Sequence, residues 1–225
     1  MNMRRLTFII PFLAASLAAC EYDNYAPPGS VLQGRIVFEG QPVGVRDNAI
    51  QLELWQDGYA LRSAIPVYVR QDGTFNAVLF DGEYKLARKQ NVGPWENNPD
   101  TIRFELKGSH TVDVEVRPFF VIRNDNIQRN GTTLTATFDV QQVVPGREIE
   151  TLALYVGATQ FVDNRYNLAR REQAPGPDAL SGPNTLTLDL ASVAESRSYV
   201  FARIGVKTRG VEELIYTQVK KIELR

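Results

Sequence analysis

Leu17-Ala18-Ala19-Cys20 closes an apolar N-terminal run that opens with Arg4 and Arg5, and the chemistry it offers is acylation. Small residues before a cysteine suit a signal peptidase, and cleavage there leaves a thiol at the new N-terminus to carry lipid. Residues 1–19 therefore read as a lipoprotein signal peptide, and residues 20–30 as a lipidated Cys20 followed by a polar, proline-bearing tether. Each buried acyl methylene contributes about 0.8 kcal/mol, so a multiply acylated Cys20 holds the chain on a membrane without a spanning helix. Cys20 is the only cysteine, which excludes an internal disulfide, a cysteine metal cluster and a thiol nucleophile elsewhere in the mature chain.

His110 is the only histidine, so a Ser-His-Asp triad has one possible centre and a histidine-rich metal site has none. It lies in Lys107-Gly108-Ser109-His110, which reads as an exposed hairpin turn near Asp100 and Asp113, with no Gly-x-Ser-x-Gly elbow. Aspartates and glutamates are scattered through alternating segments, without a pair that spacing marks as an acid and base for glycoside cleavage. No Asp-x-Asp-x-Asp spacing suggests calcium. The expectation is a protein that is not an enzyme and carries no cofactor or metal. Loss of residues 1–19 leaves 23 basic and 26 acidic side chains, a formal balance of −3 that gives no reason to expect nucleic acid as a partner.

Aromatic residues among amides are the remaining chemistry. A pyranose ring stacks its apolar face on Trp or Tyr while neighbouring polar groups satisfy its hydroxyls. Trp95 is the first candidate, in the turn-rich stretch 91–100 with Asn97 and Asp100; it serves either as an exposed platform or as a lid over the first core. Trp55 and Tyr59 flank Gln56-Asp57-Gly58 and form a second pair, although Trp55 alternates out of phase with Leu52 and Leu54 and has a structural use on the opposite face. Phe161 and Tyr166 offer a third surface in a long loop.

The elements that must position these residues are strands. Leu32, Ile36 and Phe38; Ile50, Leu52 and Leu54; Phe75, Ala77 and Leu79; and Val112, Val114 and Val116 alternate with period two, with Asp72-Gly73 and Asp81-Gly82 as turns. A second alternating set runs through Leu134, Ala136, Phe138 and Val140; Leu152, Leu154 and Val156; and Val200, Ala202, Ile204 and Val206. The expected fold is all-β: one β-sandwich over residues 31–118 and another over residues 119–225. Residues 160–182 read as a long loop with helical character in 163–173, and no helix is expected elsewhere in the mature chain.

The first half resembles a carboxypeptidase-regulatory or transthyretin-like sandwich through Gln41-Pro42-Val43, the Gln71 to Phe75 segment and Asp81-Gly82-Glu83-Tyr84, read as a hairpin that sets Phe75 beside Tyr84. The second half resembles a fibronectin-III or immunoglobulin-like sandwich, in which Val193 and Tyr199 match a tyrosine corner whose hydroxyl bonds back to the chain. Taken with the lipobox, Leu54-Trp55-Gln56-Asp57-Gly58-Tyr59, Asp72-Gly73-Thr74-Phe75-Asn76, Leu79 to Lys85 and Asp100-Thr101-Ile102, the chain resembles the lipoprotein family called domain of unknown function 3823. The C-terminal half matches less sharply.

The resemblance implies an accessory lipoprotein encoded beside the porin and substrate-capture lipoprotein of Bacteroidetes glycan-uptake systems. Acidic residues behind Cys20 resemble the signal of surface-exposed lipoproteins there, which implies an outer-membrane protein facing the cell exterior. Two roles remain open: carbohydrate binding that assists uptake, or a structural subunit that docks on the porin complex. A glycoside hydrolase is the third and needs an acid pair across a cleft. Asp100-Thr101-Ile102 also resembles the O-glycosylation acceptor of the same bacteria.

Overall fold

The computed structural model describes residues 26–58 and 62–224, so Cys20 and Tyr59 lie outside the described residues. Eight strands build the first sandwich: β1 (Ser30–Phe38), β2 (Gln41–Pro42), β3 (Gln51–Trp55), β4 (Ile65–Tyr68), β5 (Thr74–Leu79), β6 (Gly82–Arg88), β7 (Thr101–Leu106) and β8 (Ser109–Glu115). One sheet is centred on β1, which pairs antiparallel with β5 and β2 and parallel with β8; the other has the order β4-β3-β6-β7. Alternation puts Leu32, Ile36, Phe75, Leu79, Leu52, Leu54, Tyr84, Leu86 and Val114 in the core between them.

The parallel pair β1–β8 makes a specific demand on Gly34. A Cβ there would lie 1.9 Å from the Val112 carbonyl oxygen and 2.6 Å from the Phe75 ring, so only glycine lets the strand pass. On the outward face the same two strands are laced by Gln33 donating to Thr111 at 3.1 Å and by the Arg35–Asp113 ion pair.

Two expected hairpins are crossings between sheets. The chain leaves β5 in one sheet and enters β6 in the other at Asp81-Gly82, so Phe75 and Tyr84 enter the core from different sheets. Lys107-Gly108 likewise connects β7 to β8 across the core, and His110 is a half-buried strand residue stacked on Phe104 at 4.6 Å. Turn-forming residues specify a reversal but not which edge the next strand joins.

The second sandwich comprises β9 (Phe120–Asn130), β10 (Thr133–Gln142), β11 (Ile149–Gly157), β12 (Ala169–Gln173), β13 (Asn184–Asp189), β14 (Tyr199–Thr208), β15 (Ile215–Tyr216) and β16 (Lys220–Glu223). Its sheets are β13-β10-β9 and β12-β11-β14-β15, with β16 also on β14. Residues 163–173, expected to have helical character, end in the edge strand β12, because pairing with β11 satisfies its backbone more fully than an isolated helical turn would. The helix is instead α1 (Ala191–Ser196), a single short turn that no sequence period announces. Tyr199 does not form the expected corner: it is 41% exposed on the outward face of β14, under the Lys221 Nζ at 4.3 Å. A comparable bond occurs in the first sandwich, where the Tyr84 hydroxyl donates to the Phe80 carbonyl at 3.0 Å.

The sandwiches meet along a polar seam. Arg203, 1% exposed, donates from Nη1 to the Val45 carbonyl at 3.1 Å and from Nε and Nη2 to the Thr217 carbonyl, and its guanidinium lies 4.2 Å over the Tyr216 ring. Burial pushes its pKa down to about 10, which still leaves it charged at neutral pH. Beside it Arg46 pairs with the buried Glu213, and the Tyr216 N–H donates to the Gly44 carbonyl at 2.9 Å. A Cβ on Gly44 would lie 2.4 Å from the Tyr216 carbonyl oxygen, so the close approach of the two domains requires glycine here.

Candidate functional site

The loop between β11 and β12 is anchored from below and displays its aromatics above. Val162, fully buried, packs so closely on Gly157 that a Cβ there would come within 2.8 Å of it. The next residue, Asp163, is also buried, and its Oδ1 accepts the N–H groups of Arg165 at 2.7 Å and Tyr166 at 2.9 Å. Its own N–H donates to the Tyr166 carbonyl at 3.0 Å, and the Asn167 amide donates to the Asp163 carbonyl, also at 3.0 Å. The Tyr216 hydroxyl donates to Asn164 Oδ1 at 3.1 Å, tying the loop to the seam. These bonds leave Tyr166 69% and Phe161 50% exposed among arginine and amide side chains.

Arg165 reaches Glu212 at 3.1 Å, and Glu212 is on the rim of a cleft between the two domains. The cleft holds about 520 Å³ and is walled by Asn91, Trp95 and Asn97 from the first sandwich and Phe119, Arg147 and Glu212 from the second. The Arg147 guanidinium lies 4.3 Å over the Phe119 ring. Two of the residues singled out in the sequence, Trp95 and Asn97, thereby line one cleft, and the Arg165–Glu212 pair ties the loop that carries Tyr166 to its rim.

Trp95 is not the platform there. It is 5% exposed, it bridges to Pro118, and Gly93 lies on its indole so closely that a Cβ would be 2.2 Å from Cε2. Of the two roles considered, the lid over the first core is the one observed: the buried indole packs against Gly93, and the backbone bridge to Pro118 holds the loop on the segment that follows β8. Asn97 also has a structural role: its Oδ1 accepts the Asn91 N–H at 2.8 Å and its Nδ2 donates to Asn91 Oδ1 at 2.7 Å, closing the loop on itself. Asp100 is exposed outside the cleft, with its N–H bonded to Asn98 Oδ1 at 2.7 Å.

Trp55 is distant in the fold. It ends β3 opposite Lys85, half-buried, with the Arg62 guanidinium 5.9 Å from its ring. His110 meets neither Asp100 nor Asp113; the latter carboxylate is taken by Arg35. Thr101 is exposed at the start of β7, accessible to a modifying enzyme.

Arg147, Phe119 and Glu212 were missed in the sequence. Nothing about a Gly-Arg turn distinguishes Arg147 from any other surface arginine, and only the approach of the second domain makes it part of a wall. Asp163 did carry a signal, since Asp two and three residues before backbone donors is the spacing of an Asx turn.

The profile described as "Protein of unknown function (DUF3823) N-terminal domain" matches residues 30–117, and that described as "Domain of unknown function (DUF3823_C)" matches residues 120–221. No curated protein matches the chain. Among solved structures, a DUF3823 family protein from Parabacteroides merdae is 36% identical with a TM-score of 0.81, covering 88% of this chain and 100% of its own. One from Bacteroides ovatus is 34% identical with a TM-score of 0.80 and the same coverage. A Bacteroides uniformis protein whose description proposes carbohydrate binding shares the fold at 20% identity and a TM-score of 0.72, again over 88% of this chain and 100% of its own. Both halves of the chain match, in order and nearly end to end, and the chain belongs to the DUF3823 family.

Proposed function

We propose that the protein is a non-catalytic carbohydrate-binding lipoprotein of the outer membrane, anchored through acylated Cys20 and facing the cell exterior. There it assists a glycan porin and its substrate-capture lipoprotein. The observation that carries the binding role is Tyr166: a 69% exposed ring on a loop whose backbone is fixed by the buried Asp163, beside a polar cleft. A loop already held in place loses little conformational freedom when a sugar stacks on the ring it presents. The cleft supplies amide and charged groups for hydroxyls, and the B. uniformis relative, described in the same terms, supports the reading. The anchor rests on the Leu17-Ala18-Ala19-Cys20 motif alone.

A docking role is the second reading, favoured by Leu168, which is 46% exposed on the same loop and gives the surface an aliphatic element that sugars do not need. Isothermal titration of the mature chain carrying Cys20→Ser against a glycan panel separates the two. Binding that weakens at least about tenfold in Tyr166→Ala, with unchanged circular dichroism, supports the sugar role. Absence of heat with every glycan from folded protein assigns the surface to a protein partner.

A further inference from the structure

Among the three charged residues on the cleft wall, two are carboxylates that already have a cation. Glu96 pairs with Arg117 at 2.8 Å, and Glu212 pairs with Arg165 at 3.1 Å. The third is Arg147, whose guanidinium has no acceptor among the described residues. It is not a freely waving side chain either, because its planar group lies 4.3 Å over Phe119, a ring that is itself 5% exposed. Stacking on an aromatic face fixes the plane of a guanidinium and leaves its edge, with parallel N–H donors, directed away from the ring.

This geometry points to a carboxylate-bearing sugar, a uronic acid unit within a polysaccharide, as the ligand of the cleft, with Arg147 as its anchoring residue. The inference rests on the carbohydrate-binding reading and narrows the class of glycan. A planar carboxylate matches the planar fork with two parallel hydrogen bonds, which no single hydroxyl can do. With Glu96 and Glu212 neutralised by arginines of their own, the cleft carries one surplus positive charge where the anion would sit. Asn91 and Asn97 border the same space, and their mutual hydrogen bonds leave the Asn91 Nδ2 group to donate to the ring hydroxyls. Tyr166, exposed on the loop that Arg165 ties to the rim, is the ring available to further units of the chain.

The test is nuclear magnetic resonance of the arginine Nε–Hε groups in the mature Cys20→Ser chain, with the Arg147 signal assigned by its loss in Arg147→Lys. D-Glucuronate and D-galacturonate are titrated against D-glucose and D-galactose at matched ionic strength, with acetate as an anion control. The expected result is a saturable shift of the Arg147 signal with one or both uronates that acetate and the neutral sugars do not reproduce. Polygalacturonate is expected to bind at least about tenfold more tightly than its methyl ester, and Arg147→Gln to remove that difference. A silent Arg147 signal, together with neutral sugars that perturb the Trp95 or Tyr166 resonances, overturns the acidic-sugar assignment and leaves carbohydrate binding intact. Acetate acting as strongly as the uronates overturns it too, by reducing the site to a bare anion contact. Silence of all these resonances toward every sugar overturns both readings.

Discussion

Two loops carry the most conspicuous aromatics of this chain, and they use them in opposite ways. The segment 91–100 and the segment 160–168 are both polar, irregular and rich in turn formers; the first contains one large ring without a periodic partner, Trp95, and the second two, Phe161 and Tyr166. In the first the ring is inside: Trp95 is buried against Gly93, with its backbone bridged to Pro118, and the exposed positions are amides that hold one another. In the second the buried positions are Val162 and Asp163, and the ring of Tyr166 is left in solvent. The loop's fixed points, Gly93 and the Pro118 bridge in one case and Val162 and Asp163 in the other, decide whether its aromatic is core or surface, rather than the aromatic itself.

Substitutions break this contrast with graded force. Trp95→Ala removes a buried indole and is expected to cost about 3–5 kcal/mol of stability by urea denaturation, whatever it does to ligand. Asp163→Ala is expected to cost about 1–3 kcal/mol, because two N–H groups lose their acceptor, and to raise amide hydrogen exchange over residues 161–168 selectively. Exchange unchanged in that segment would mean that Val162 alone fixes the loop. Gly93→Ala pushes a methyl into the indole and is expected to cost about 1–3 kcal/mol, with a shift in tryptophan fluorescence that marks displacement of the ring. Tyr166→Ala is expected to change stability by less than about 0.5 kcal/mol while weakening glycan binding, so a large loss of stability would contradict the claim that the ring is a free surface.

Much of the fold was legible in the sequence because burial on one face of a strand imposes a period of two. Leu32 and Ile36 in the first sandwich, and Val200, Ala202, Ile204 and Val206 in the second, face the core as alternation requires. Pairing partners were not legible. Gly82 and Gly108 each mark a reversal, yet whether the next strand joins the same sheet or the facing one depends on contacts distant in sequence. Polar β12 gave no strand period since it is an edge strand whose side chains are mostly exposed.

The site was read in part. Tyr166 was read as an aromatic in a long loop, and Trp95 was left open between platform and lid because the segment its backbone bridges to, at Pro118, comes from the other end of the domain. Arg203 escaped notice for a related reason. An arginine within Phe201-Ala202-Arg203-Ile204 alternates outward, and outward positions normally meet water; here the outward face of β14 meets the first sandwich.

That buried arginine has a consequence for how the two halves can be recombined. Arg203 belongs to one domain, but the Val45 carbonyl it needs belongs to the other, and the Gly44 contact permits no side chain at all. A chimera joining the first half of a relative to residues 120–221 of this chain would therefore keep Arg203 but place a side chain where two backbones touch wherever the relative lacks glycine at the Gly44 position, and the displaced backbone would carry the Val45 acceptor away from the guanidinium. The halves match separate profiles, but they are not interchangeable parts: the cleft they enclose is inherited as a pair.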